Sequence, residues 1–164
     1  MWYNKISLKG VLYMVCKKVG LEDIVKVCEL YLQEENLEYN DRKKEKYIKR
    51  SKRIYKKMLK LGSYTLACYS ENGNILGVVN VNKILDYYPK YEKEPYIHLE
   101  TLIVKKTEQN KGIATYLLKS AKEILDKEGY TYIIAQSNNI YVQKILKKVG
   151  LTDSSVDMRI DIVK

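Results

Sequence analysis

Residues 109–114 read Gln109-Asn110-Lys111-Gly112-Ile113-Ala114, and what they join decides the fold. An apolar strand pattern, 97–104, precedes them, and a helical pattern follows from about 112 to 128. A strand, a short polar turn and a helix start make a site for an anion. The first N–H groups of a helix lack intrahelical partners, and the helix dipole adds partial positive charge at the same place. Gly112 has no Cβ, so a ligand can approach the chain closely there. Ala114 keeps the first turn slim, and Lys111 adds a full charge. The expected cradle is Gln109, Asn110, Lys111, Gly112, Ile113, Ala114 and Thr115, and the expected ligand is a phosphate or pyrophosphate. A plain helix start, with no ligand at all, is the competing reading of the same residues.

Outward from this turn the chain alternates strand and helix signals. Residues 12–17 read as a strand. Residues 21–34 have apolar positions at 21, 24, 25, 27, 28, 31 and 32, the spacing of one helix face. A second helix spans 41–61, with Tyr47, Ile48, Ile54, Tyr55, Met58 and Leu59 as its apolar stripe and Gly62 as its stop. Residues 64–69 and 75–84 form a hairpin around Glu71-Asn72-Gly73-Asn74, where Asn-Gly favours a tight primed turn. The stretch 85–95 holds both prolines and reads as a loop. A strand at 96–104, the helix at 112–128, a strand at 131–136, a helix at 139–149 and a strand at 156–163 complete the order β α α β β β α β α β. Residues 1–10 read as a short extension.

The run HLETLIVKKTEQNKGIATYLLKSAKEIL, with the strand YTYIIAQ, the Asn-led helix NNIYVQKILKKVG and the closing SSVDMRIDIV, resembles the GCN5-related N-acetyltransferase (GNAT) family. Gln109, Gly112 and Ala114 fill the fixed positions of that family's acetyl-CoA motif, Gln/Arg-x-x-Gly-x-Gly/Ala. Residues 17–24 are similar to its usual first strand and opening of helix one. The resemblance covers about 11–163 and is most specific over 97–151. It implies an α/β (α+β) fold in one domain, 11–164, with a central mixed, mostly antiparallel sheet flanked by about four helices. It also implies acetyl-CoA as co-substrate, with no metal. Pantetheine would lie along 96–104, held by the backbone of Leu102, Ile103 and Val104 much as an added strand would be. An N–H near Ile103 would face the developing oxyanion. Asn139 matches the family's Asn that opens the helix at 139–149 and contacts the pantetheine arm, and it also suits an N-cap. The family's frequent Tyr acid, four residues before Gly150, is replaced by Leu146. Tyr141 is then the nearest phenol on that helix. Only 14 residues follow Gly150, which leaves room for one long strand or two very short ones.

Acetyl transfer to an amine needs a proton acceptor. Simple alternation puts Tyr96, His98, Glu100, Leu102 and Val104 on one strand face. Glu100 is the candidate base, because burial in an apolar strand would raise its pKa toward the operating pH. His98, the only histidine, could relay the proton through water. A surface Glu paired with a Lys, and a structural His, are the competing readings.

Thirty basic against twenty acidic residues give a net charge of +10, which favours polyanionic partners. Eleven of the basic residues lie between Arg42 and Lys60. A solvated helix face is their plainest reading; a phosphate track, an anionic membrane surface or an acidic acceptor are the others. Cys16, Cys28 and Cys68 are far apart in sequence with no metal spacing, so each is expected to be a buried free thiol in a reducing, cytoplasmic setting. No apolar run is long enough to span a bilayer, and no secretory signal opens the chain. The expected function is N-acetyl transfer from acetyl-CoA to a primary amine of a small molecule or peptide, in a monomer or homodimer that does not bind nucleic acid. Two alternatives stand beside it. One is a CoA-binding regulator with weak or lost catalysis. The other is a basic nucleic-acid-binding or partner-binding module on the same fold.

Overall fold

In the computed structural model the described residues are 6–8, 12–84, 96–130 and 133–152. The loop expected at 85–95 and the closing strand expected at 156–163 lie outside them. Six strands form one sheet in the order β1 (Ile6–Leu8), β2 (Leu12–Lys18), β3 (Tyr64–Ser70), β4 (Ile75–Ile84), β5 (Tyr96–Val104), β6 (Ile133–Ala135). The first five run antiparallel to their neighbours, and β6 runs parallel to β5. The α-helices are α1 (Ile24–Glu34), α2 (Asp41–Lys60), α3 (Ile113–Lys127) and α4 (Ile140–Lys148). Residues 6–8, expected in an extension, instead pair with β2 as an edge strand.

The sheet separates two apolar layers. On one face α3 packs Ile113, Leu117, Leu118, Ala121 and Leu125 against Leu66, Val79, Val81, Ile97 and Leu99, and α4 adds Leu146 and Val149. On the other, α1 sets Ile24, Val27 and Leu30 against Ala67, Tyr69 and Val78, with Tyr55 of α2. Gly77 brings β4 and β5 together under α3. A Cβ there would stand 2.8 Å from the Ile103 carbonyl oxygen and 3.2 Å from Leu117. The Tyr55 hydroxyl clamps α2 to the sheet by donating to the Val19 carbonyl at 2.8 Å and accepting from the Thr65 N–H at 3.1 Å.

Two local expectations need correction. Ile54 and Leu59 do not belong to the packed stripe of α2. They are 44% and 38% exposed, and the contact is made by Tyr55, with Met58 and Tyr47 half-buried. The hairpin turn is not a primed one, because Gly73 alone of its residues has positive φ, at 73°. Asn74 N–H and Gly73 N–H instead close onto the side chain and carbonyl of Ser70. Cys16 and Cys68, distant in sequence, are direct cross-strand neighbours on β2 and β3. All three cysteines are buried and free.

Candidate active site

The parallel ladder between β5 and β6 is short. It pairs Ile97 with Ile133, His98 with Ile134 and Leu99 with Ala135, and there it stops. β4 accompanies β5 to the end, pairing Gly77 with Val104. From Glu100 to Val104, β5 therefore has a strand on one side only among the described residues. The open edge offers backbone hydrogen-bonding groups to an extended ligand.

β5 also bulges at this point. Val79 faces Leu102 and Val81 faces Leu99, so Asn80 alone opposes both Glu100 and Thr101. Two residues against one is a β-bulge, and it shifts the side-chain alternation by one position. Ile97, Leu99, Leu102 and Val104 consequently share the α3 face, while Ile103 joins the α1 face. The alternation expected from sequence, with His98, Glu100, Leu102 and Val104 on one face, is thus broken after Glu100. His98 and Glu100 do stand together: His98 Nδ1 lies 3.5 Å from Glu100 Oε1. The Glu100 side chain is 46% exposed, so the burial expected of it is absent.

The open end of the slot runs into the turn before α3. Lys105 N–H donates to the Leu76 carbonyl at 2.9 Å, and a 3-10 turn follows over Lys106–Glu108. Lys106 N–H donates to Glu34 Oε2 at 3.0 Å, which ties the turn to the end of α1. Gln109 folds back, donating from Nε2 to the Val104 carbonyl at 3.1 Å. Lys111 Nζ meets Glu108 Oε2 at 2.9 Å, so its charge is shared with a carboxylate. Asn110 (φ 61°) and Gly112 (φ 81°) both take left-handed backbone, and Gly112 is the N-cap of α3. Among the described residues no side chain caps this helix, and no acid stands in its first turn. The N–H groups of Ile113, Ala114 and Thr115 thus have no intrahelical acceptor. Ile113 is buried in the core and holds the helix start in place.

Because β5 and β6 are parallel, their C-terminal ends share one end of the sheet. Asn139 follows β6 by four residues and caps α4, its Oδ1 accepting from Tyr141 N–H at 2.9 Å and Val142 N–H at 3.4 Å. Tyr141 is 73% exposed. Leu146 points the other way, into the core beside α3.

Sequence reading overlooked a polar row on the α1 face. Asn80 Oδ1 accepts from Thr65 Oγ1 at 2.8 Å and Asn80 Nδ2 donates to the Tyr31 hydroxyl at 3.1 Å. Burial pushes the Tyr31 phenol above its ordinary pKa, and Thr101 of the bulge also reaches it. The available signal was VVNVN, two asparagines on one face of a valine strand.

Comparison with known proteins agrees with this fold. Residues 24–151 match the acetyltransferase (GNAT) family. No curated protein matches the chain. Among solved structures, a Trypanosoma brucei acetyltransferase is similar at 16% identity with a TM-score of 0.71, over 91% of this chain and 99% of that one. An aminoglycoside acetyltransferase from an uncultured soil metagenomic sample, solved with sisomicin, is similar at 16% identity and a TM-score of 0.67, over 92% and 97%. A Clostridium acetobutylicum protein described as a predicted acetyltransferase and solved with acetyl-CoA is similar at 19% identity and a TM-score of 0.67, over 91% and 96%. At these identities the likeness is one of fold, whereas the family match spans most of the sequence: the chain belongs to the acetyltransferase (GNAT) family.

Proposed function

We propose that the protein transfers the acetyl group of acetyl-CoA to a primary amine by direct attack. The observation that carries this reading is the parting of β5 and β6 after Leu99, with an uncapped helix start at the open end. Pantetheine fits the open edge at Leu102, Ile103 and Val104. The pyrophosphate fits the N–H groups from Gly112 to Thr115, with Gln109 and Asn110 shaping the turn and Lys111 beside it. Asn139 serves the pantetheine arm from the neighbouring helix start. The amine nitrogen adds to the thioester carbon, the C–S bond breaks toward sulfur, and the proton lost by nitrogen passes to Glu100, directly or through His98. An N–H near Ile103 meets the oxyanion. Tyr141, well exposed, is the remaining phenol on α4 for the departing thiolate.

A second reading has its own observation. Leu146 occupies the family's usual acid position and is buried in the core, which suits a CoA binder of weak activity. Turnover against a panel of amines separates the two.

The cofactor assignment is tested at Gly112. Gly112→Asn keeps a residue type that tolerates left-handed backbone and adds no charge; Gly112→Asp adds a negative charge among the expected phosphate donors. Calorimetry should show acetyl-CoA affinity falling at least about tenfold, or ~1.4 kcal/mol, further in Gly112→Asp than in Gly112→Asn. Equal affinities in two folded variants would place the pyrophosphate elsewhere.

A further inference from the structure

The bulge in β5 sorts the side chains around it. Asn80 opposes Glu100 and Thr101 together, so the alternation slips before Leu102. Thr101 keeps to the α1 face, where its side chain reaches the Tyr31 phenol. Ile103 packs on that face in the same cluster as Tyr31. It lies two residues beyond Thr101, or ~7 Å of strand. Thr101 is exposed and Tyr31 half-buried, and Thr101 stands beyond Leu99, where the β6 ladder stops. The polar row over the bulge also has a direction. Thr65 Oγ1 donates to Asn80 Oδ1 at 2.8 Å, so the amide turns Nδ2 to Tyr31 and donates at 3.1 Å. An amide NH₂ only donates, so the phenol oxygen accepts and its own proton is left for Thr101. Burial holds this phenol above its ordinary pKa, which keeps that proton in place at neutral pH. With Thr101 accepting from Tyr31, the Thr101 O–H is the last donor of the row. Each bond polarises the next and strengthens that donor. The row therefore ends on a hydroxyl proton at the open edge, just before Ile103.

We infer that the Thr101 hydroxyl is a second donor to the thioester carbonyl oxygen and that Tyr31 positions it. The inference rests on the acetyl-transfer reading above and deepens it by completing the oxyanion site with a side chain. When the amine nitrogen adds to the thioester carbon, the π pair of the carbonyl moves to oxygen. The N–H near Ile103 and the Thr101 O–H both donate to that oxygen, and neither gives up its proton. As the carbonyl re-forms, the C–S bond breaks and its electron pair leaves with the CoA thiolate. The nitrogen proton passes to Glu100, directly or through His98. Thr101 acts by its dipole alone, aimed before the charge develops. Tyr31 touches neither reactant. It holds the Thr101 oxygen as an acceptor and so leaves the Thr101 proton turned outward.

The test reads the carbonyl directly and needs no amine. Acetyl-CoA isotopically labelled at the acetyl carbonyl carbon is bound to the protein, its affinity is measured by calorimetry, and its stretch is read by difference infrared spectroscopy. A donor to the carbonyl oxygen weakens the double bond and lowers that stretch. Thr101→Val keeps the branched shape, suits a strand and removes the hydroxyl. Its bound carbonyl should absorb at higher wavenumber than in wild type. Thr101→Ser should stay near wild type, and Tyr31→Phe should shift in the same direction by less. With an amine found by turnover, kcat should fall ~10²-fold in Thr101→Val and the KM of acetyl-CoA should hardly change, the low end of the range for one lost oxyanion donor. An unshifted carbonyl in folded Thr101→Val that binds acetyl-CoA overturns the inference while acetyl transfer stands. Loss of acetyl-CoA binding in that variant overturns it too, by making the hydroxyl a binding contact. A shift in Thr101→Val with none in Tyr31→Phe overturns the positioning role of Tyr31. The two Thr101 variants carry the test where Tyr31→Phe does not fold. Wild-type protein that binds no acetyl-CoA ends the parent reading, and this inference with it.

Discussion

Glu100 owes its position to the bulge. Asn80 opposes it together with Thr101, so the strand gives this carboxylate an irregular site in place of a regular ladder position. Its partial exposure removes desolvation as the reason for choosing it. Two other facts remain: it adjoins His98, and it is the first residue of β5 beyond the β6 ladder. A base needs reach to the proton it takes, and reach is what this site offers. Glu100→Gln keeps the shape and removes the proton acceptor. The expected result is a loss in kcat of ~10²–10⁴-fold with the KM of acetyl-CoA nearly intact, the range usual for a lost general base. Steady-state kinetics on the amine found by the panel checks it. A near-normal kcat would pass the role to His98 or to water.

Between elements, a buried specific link is the one Tyr55 makes from α2 to the end of β2 and to β3. Its ring is 3% exposed and its hydroxyl serves two backbone groups at once. Tyr55→Phe keeps the ring but leaves the Val19 carbonyl and the Thr65 N–H without that partner. The expected cost is about 1–3 kcal/mol, the desolvation penalty of buried groups left unpaired. Chemical denaturation should show it as a lower midpoint at unchanged slope. The elements themselves were largely legible. The spans 75–84 and 96–104 coincide with β4 and β5, because alternating valines and isoleucines between turn residues admit little else. The helix start at Ile113 was legible from Gly112, a residue whose left-handed backbone the turn requires. What escaped was pairwise. The bulge exists only in the register of β4 against β5, and no local pattern in 96–104 announces it. β1 is three residues long and becomes a strand only by lying beside β2.

At the scale of the whole molecule, charge is distributed unevenly. α2 carries eleven basic residues against Asp41 and Glu45, in a chain whose net charge is +10. Its inward side is set by Tyr55, and Lys46, Lys49, Arg50, Lys52, Arg53, Lys56, Lys57 and Lys60 are exposed or nearly so. Neighbours three and four apart on this surface carry the same sign, and each such pair is destabilising by roughly 0.2–0.5 kcal/mol at low salt. Arg53 meets four of them: Lys49, Arg50, Lys56 and Lys57. Arg53→Glu turns all four from repulsive to attractive without touching the packed side of the helix. The melting temperature should rise at low ionic strength, and Arg53→Gln should give a smaller rise. Salt should erase the difference, since the Debye length shrinks from about 30 Å at 0.01 M to about 3 Å at 1 M. Wild-type protein should itself gain stability between those salt concentrations. Thermal melts of the three proteins across a salt series test this. Equal melting temperatures at low salt would show that these exposed like-charge contacts cost the fold nothing measurable.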